Sequence, residues 1–243
     1  MNYIVVIPAR LESTRLPEKP LIKIKGKTVI QRTFEQCLKA IPEKYVYIAT
    51  DSHKIKEHVE SFTCNVLLTS SSCLTGTDRI AEVAKKIEVD YYINVQGDEP
   101  LINPNDIKKV IQYIESDPKM ISVYNGYSEI KDESEYRSLT IPKVVMREDG
   151  RLLYMSRSPI PGNKIDKFQK SWKQICIYGF SKKSLLDFSK KTFKSELEEQ
   201  EDIEILRFLE IGYEVQMIKL TGNSIAVDTP EDVERVKSML END

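Results

Sequence analysis

Residues Tyr3-Ile-Val-Val-Ile7 are apolar at every position, and an uninterrupted run of this kind must be covered on both faces, as in a parallel sheet. Strand-like runs recur at 45–52, 65–70 and 91–100. Between and after them, 28–40, 53–62, 77–87 and 103–115 carry the spacing of amphipathic helices. The third of these is expected to open at Thr77, a good N-cap residue. A βαβα rhythm of this length predicts a mostly parallel sheet between two helical layers. The loops leaving the carboxyl ends of such strands are where open α/β folds bind ligands.

The rhythm changes in the middle of the chain. Stretches 120–130, 142–161 and 174–181 read as strands without intervening helices, and Asp149-Gly150 supplies a hairpin-type turn. This region, approximately 120–180, reads as an antiparallel insert suited to covering a site or pairing subunits. Helical patterns return at 181–189 and 197–212, followed by a strand at 214–220 and a final helix at 229–240. The last helix has Thr229 at its cap and Pro230 in its first turn. No repeat or linker interrupts the 243 residues, which read as a single domain, 1–243.

Composition excludes several classes of function. Lysine and arginine total 36 against 38 acids, a net charge of −2. That balance argues against a general nucleic-acid or membrane surface and leaves room for a local basic pocket. Cys37, Cys64, Cys73 and Cys176 form no CxxC pair and read as reduced, small apolar residues. His53 and His58 fall on a charged helical stretch and read as a solvated face. No basic leader precedes a long apolar stretch and no run approaches about 18 apolar residues. A soluble, cytoplasmic protein is expected.

The charged residues with chemical potential sit beside the predicted strands. Arg10, Arg15 and Lys19 crowd the loop after the first strand, with the charge to hold several phosphates. Asp98, within Gln96-Gly97-Asp98-Glu99-Pro100, and Asp228, within Ala226-Val227-Asp228-Thr229-Pro230, each follow a hydrophobic run. Both should project from the carboxyl edge, although Asp98 could merely end a strand and Asp228 merely cap a helix. Two carboxylates converging beside a basic loop suit Mg2+, which takes one or two carboxylates and completes its shell with phosphate oxygens and water. The turn Gly76-Thr77-Asp78-Arg79 offers backbone amides to an anion or a base edge, or is a plain helix cap. Neither GxGxxG nor GxxxxGK[ST] occurs, so a nicotinamide dinucleotide site and a P-loop are not expected.

Taken in order, PARLESTRLPEKPL, TGTDRIAEV, NVQGDEPLI, YMSRSPIP, IYGF, EDIEILRFLE and VDTPEDVERV resemble the 3-deoxy-manno-octulosonate cytidylyltransferases (CMP-Kdo synthetases) over essentially the whole chain. The resemblance implies a Rossmann-like nucleotidyltransferase fold with a dimerisation insert, and hence a homodimer. It implies transfer of CMP from CTP to the anomeric hydroxyl of a sugar acid, with release of pyrophosphate. On the matching positions, Arg10 and Lys19, helped by Arg15, would neutralise the CTP phosphates. Ala9 and the turn Thr77, Asp78 and Arg79 would recognise cytidine. Asp98 and Asp228 would hold magnesium. Gln96, Arg157, Gln174, Tyr178 and Glu204 would line the sugar-acid side, with Arg157 as partner for its carboxylate. Such transfers need positioning and charge neutralisation more than covalent help. The general base is open between the metal and Asp98.

The chain also departs from the family pattern. Glu18 stands where a glycine precedes the lysine, Cys73 where a histidine is frequent, and Ala226 where a glycine precedes Val227-Asp228. Gln174 replaces a histidine and Ile205 a glutamine on the presumed sugar side. Loss of those polar groups is expected to alter recognition of the distal hydroxyls. The acceptor reading is Kdo, with another ulosonic acid as the alternative and a non-catalytic nucleotide-binding protein as a more distant one.

Overall fold

In the computed structural model, which describes residues 1–12, 15–222 and 224–241, β1 (Tyr3–Ala9) runs through the middle of a mixed sheet. Residues 4–9 of β1 are buried, as its sequence requires. It pairs in parallel on one side with β4 (Val46–Thr50) and on the other with β6 (Tyr91–Val95). A small hairpin, β2 (Lys23–Ile24) and β3 (Lys27–Thr28), leads into α1 (Val29–Leu38). Thr28 caps α1 by accepting a hydrogen bond from Gln31 N. The chain continues through α2 (His53–Glu60), β5 (Val66–Leu68) and α3 (Gly76–Lys86) before β6, with α4 (Pro104–Ser116) after it.

The region read as antiparallel divides in two. Both β7 (Val123–Glu129) and β10 (Trp172–Ser181) belong to the main sheet. Between them lies an excursion holding α5 (Glu133–Arg137) and the hairpin β8 (Lys143–Met146) with β9 (Leu152–Ser156). After β10 come α6 (Lys182–Phe188), α7 (Glu196–Glu201), α8 (Ile205–Glu210), β11 (Val215–Lys219) and α9 (Pro230–Met239). The helix expected over 197–212 is thus two helices. Asp202, at φ +51°, adopts the left-handed conformation that ends α7.

The main path runs β11-β7-β10-β6-β1-β4-β5. Within it β10 is antiparallel to its neighbours β6 and β7, and the other pairings are parallel. One apolar layer gathers Phe34 of α1, Ile55 and Val59 of α2, and Ile107, Val110 and Ile114 of α4. On the opposite face, Ile80, Ala81 and Val83 of α3 pack with Leu185 and Phe188 of α6 and Leu206 and Phe208 of α8. From β1 the connections first proceed towards β4 and β5, then return by α3 to β6 on the other side. The carboxyl ends of β1 and β6 therefore flank a topological switch point, the crevice where such sheets take ligands.

The candidate active site

A cavity of about 290 Å³ opens at that switch point. The end of β1 contributes Pro8, Ala9 and Arg10 to its wall, and the β6 turn contributes Gln96, Gly97 and Asp98. The two strand ends meet at Gly97, where a Cβ would lie 2.6 Å from the Pro8 carbonyl oxygen. Only a residue without a side chain lets the two backbones approach so closely.

Asp98 and Asp228 converge on Lys19. The ammonium Nζ donates to Asp98 Oδ2 at 2.5 Å and to Asp228 Oδ1 at 3.0 Å. Arg15 adds an ion pair to Asp228 at 3.1 Å. Burial would lower the Lys19 pKa, but attraction from and hydrogen bonds to the two carboxylates outweigh it and hold the pKa above its ordinary value. Asp228 does not follow a strand, since β11 ends at Lys219 and 224–228 is irregular. Its segment is instead fixed by Val227 N, which donates to Asp98 O at 2.8 Å. Nor does Asp228 cap α9: Thr229 and Asp232 close a reciprocal capping box, leaving the Asp228 carboxylate for Lys19 and Arg15. Glu18, preceding Lys19, is held at φ +53°, a left-handed conformation that favours glycine.

Arg10 is exposed and lines the cavity. Arg79 reaches the wall but is 3% exposed, and its Nη2 donates to Asp51 Oδ2 at 2.8 Å. The helix expected to open at Thr77 begins one residue earlier, with Thr75 as its cap and Asp78 closing the box. Only Thr75 has a carboxylate three residues on, Asp78, to close a capping box; the residue three beyond Thr77 is Ile80. Thr77 is buried, and its N–H and hydroxyl donate to Glu204. Asp78 accepts from Arg207 Nη1 at 3.0 Å. Neither Thr77 nor Asp78 is among the lining residues; Thr75 and Gly76 take that place.

On the presumed sugar side the residues separate. Gln96 and Glu204 line the cavity. Burial raises the Glu204 pKa, against the hydrogen bonds from Thr77. Gln174 donates to Asn125 Oδ1 at 2.9 Å and to Tyr178 Oη at 3.4 Å, forming a polar network outside the lining set. Arg157 also stands outside it, with donors directed to the carbonyls of Leu139, Thr140, Glu201 and Asp202. Ile205 is 1% exposed and packs in the core, whereas Ile203 meets the cavity.

Several lining residues escaped the sequence reading. Lys194, Glu198 and Asp202 bring the α7 region to the cavity; no motif marks Lys194 or Glu198, and Asp202 was passed over inside EDIEILRFLE. Glu99 was passed over inside a quoted motif. Burial pushes its pKa up to about 7, and Glu99 Oε2 has no hydrogen-bond partner among the described residues. Asn94 is fully buried, and neither amide atom has a hydrogen-bond partner among the described residues; an Asn inside the apolar run YYINV was its available signal.

Comparison with known proteins gives the family and the fold. A cytidylyltransferase family model matches residues 4–220. The 3-deoxy-manno-octulosonate cytidylyltransferase of Protochlamydia amoebophila is 38% identical over 98% of this chain and 94% of its own. That of Chloroherpeton thalassium is 40% identical, covering 99% of this chain and 98% of its own. A solved CMP:2-keto-3-deoxy-manno-octonic acid synthetase complexed with CTP superposes with a TM-score of 0.91 at 33% identity, covering 100% of this chain and 99% of that one. The chain belongs to the family of the 3-deoxy-manno-octulosonate cytidylyltransferases.

Proposed function

We infer that the protein transfers CMP from CTP to the anomeric hydroxyl of Kdo, giving CMP-Kdo and pyrophosphate. The observation that carries this is the meeting of Asp98 and Asp228 on Lys19 at the β1/β6 switch point, in a chain of this family. The product would serve lipopolysaccharide or capsule synthesis in the cytoplasm. No helix among the described residues is long and apolar enough to cross a membrane.

The chain's own residues suggest the division of labour. Arg10 and Arg15 offer cations to the triphosphate, with Lys19 reaching the same charge from between the carboxylates. The backbone around Ala9, Thr75 and Gly76 borders the room for cytidine. Glu204 fixes the first turn of α3 through the N–H groups of Gly76 and Thr77, holding that border in place.

Asp98 and Asp228 fit magnesium. Their side chains are 25% and 34% exposed and already share a cation. No cluster of three or more His, Cys, Asp or Glu residues suited to a metal occurs among the described residues, so an ion here would draw its remaining ligands from phosphate and water. Bound there, magnesium would neutralise phosphate charge and lower the pKa of the attacking hydroxyl.

A homodimer through the 130–171 excursion completes the reading. That excursion exposes Leu139, Leu153 and Ile165 at 66%, 54% and 64%, apolar side chains that a second copy would cover. Pyrophosphate release from CTP, measured against a panel of ulosonic acids, tests the activity. Kdo should be turned over fastest; release with another ulosonic acid alone would reassign the acceptor, and release with none would refute the transfer.

A further inference from the structure

The acceptor in the proposed reaction is a carboxylic acid, and its cavity wall needs a cation to meet it. The edge formed by β1, the β6 turn and α3 is occupied by the groups assigned to the nucleotide. The opposite wall comes from 194–204, where Lys194, Glu198, Asp202, Ile203 and Glu204 line the cavity. Arg10 reaches Asp202 of this wall from the nucleotide edge and is assigned to the phosphates; of the other positive side chains near the wall, Arg207, Arg157 and Lys194, two are committed elsewhere. Arg207 is fully buried and bonded to Glu198 and Asp78. Arg157 directs its guanidinium to four backbone carbonyls, tying the excursion to the end of α7. Lys194 remains. Its side chain is 24% exposed, and Nζ donates to Asp202 Oδ1 at 2.8 Å.

Asp202 is a replaceable partner. Its side chain is 72% exposed, and pairs so open to water are weak. The Lys194 hydrogen bond, with the charges of Lys194, Arg157 and Arg10, holds its carboxyl below the ordinary value despite partial burial. One carboxylate thus stands among three cations, in the chemistry that a second carboxylate would meet. We propose that Lys194 binds the carboxylate of the sugar acid, with Asp202 as the internal counter-ion that the incoming carboxylate displaces. This inference rests on the acceptor reading above. It assigns Lys194 the role expected of Arg157 from sequence and makes Arg157 a positioning residue for the wall.

Calorimetric titration of Kdo into the full-length protein, loaded with magnesium and an unreactive α,β-methylene analogue of CTP, tests the assignment. In Lys194→Met, which keeps the aliphatic stem, Kdo should bind about tenfold or more weakly, with affinity for the CTP analogue changed less than about twofold. Lys194→Arg should restore most of the loss. Asp202→Asn removes the competitor and should tighten Kdo binding, a gain that a merely structural role would not produce. Should Lys194→Met fail to fold, that gain carries the test by itself. Unchanged Kdo affinity in Lys194→Met, equal weakening for the CTP analogue, or weaker Kdo binding in Asp202→Asn would overturn the proposal. A wild-type protein that binds the CTP analogue but no Kdo would overturn the acceptor reading and this inference with it. Wild-type binding matched by Lys194→Met would remove this inference alone.

Discussion

Burial would lower the pKa of Lys19, yet two carboxylates 2.5 and 3.0 Å away keep it charged. Replacing it leaves Asp98 and Asp228 facing each other and an incoming triphosphate with one positive charge fewer. Lys19→Ala should therefore weaken CTP binding by about tenfold more than CMP binding, since CMP lacks the two outer phosphates. Equilibrium binding of both nucleotides checks this, and equal weakening would contradict it. Asp98, Asp228 and Lys19 were legible because each stands beside a strand or helix boundary that local pattern marks. Arg157 and Thr77 carried the right chemistry but are spent inside the protein, on backbone carbonyls and on Glu204 respectively. Whether a side chain faces the cavity depends on partners far along the chain.

The elements explain why the site stands where it does. β1 and β6 bring their ends together at Gly97, and the Val227 N to Asp98 O hydrogen bond places Asp228 beside them. Gly97→Ala would force a methyl group against the Pro8 carbonyl and part the two strand ends. It should cost roughly 1–3 kcal/mol and reduce CTP affinity, as read by thermal unfolding and nucleotide binding. Gly162→Ala is the control, because its Cβ meets nothing within 4 Å. Equal behaviour of the two variants would contradict the packing argument. Strands and helices of the first half were legible from periodicity, since each buries a face set by nearby residues. The break at Asp202 was not: no glycine or proline marks it in 197–211, and the left-handed Asp202 ends α7 three residues before α8 begins at Ile205.

At the scale of the whole molecule, the same sheet carries both the reaction crevice and the excursion proposed to pair subunits. The parallel rhythm and three layers could be read from the first 115 residues. Insertion of β10 between β6 and β7 could not, because antiparallel and parallel neighbours impose the same apolar pattern on a strand buried on both faces. The leucine and isoleucine side chains of the excursion, Leu139, Leu153 and Ile165, are more than half exposed in the single chain. Leu153→Asp and Ile165→Asp should shift a dimer towards monomer in sedimentation velocity, with the fold kept. A wild-type monomer, or a dimer untouched by both changes, would contradict pairing through this face.

The central claim is that the Asp98–Lys19–Asp228 junction is where CMP changes hands. Its most direct test follows CMP-Kdo and pyrophosphate together, from CTP and Kdo, across a magnesium titration of wild type, Asp98→Asn and Asp228→Asn. Each variant keeps its side-chain volume and should fold, as circular dichroism would show. The account predicts equal amounts of the two products from wild type, with no turnover when magnesium is removed. Turnover in either variant should fall by about 10²-fold or more, the range for loss of one preorganised charge contact. Near-wild-type turnover of both variants at limiting magnesium would contradict it.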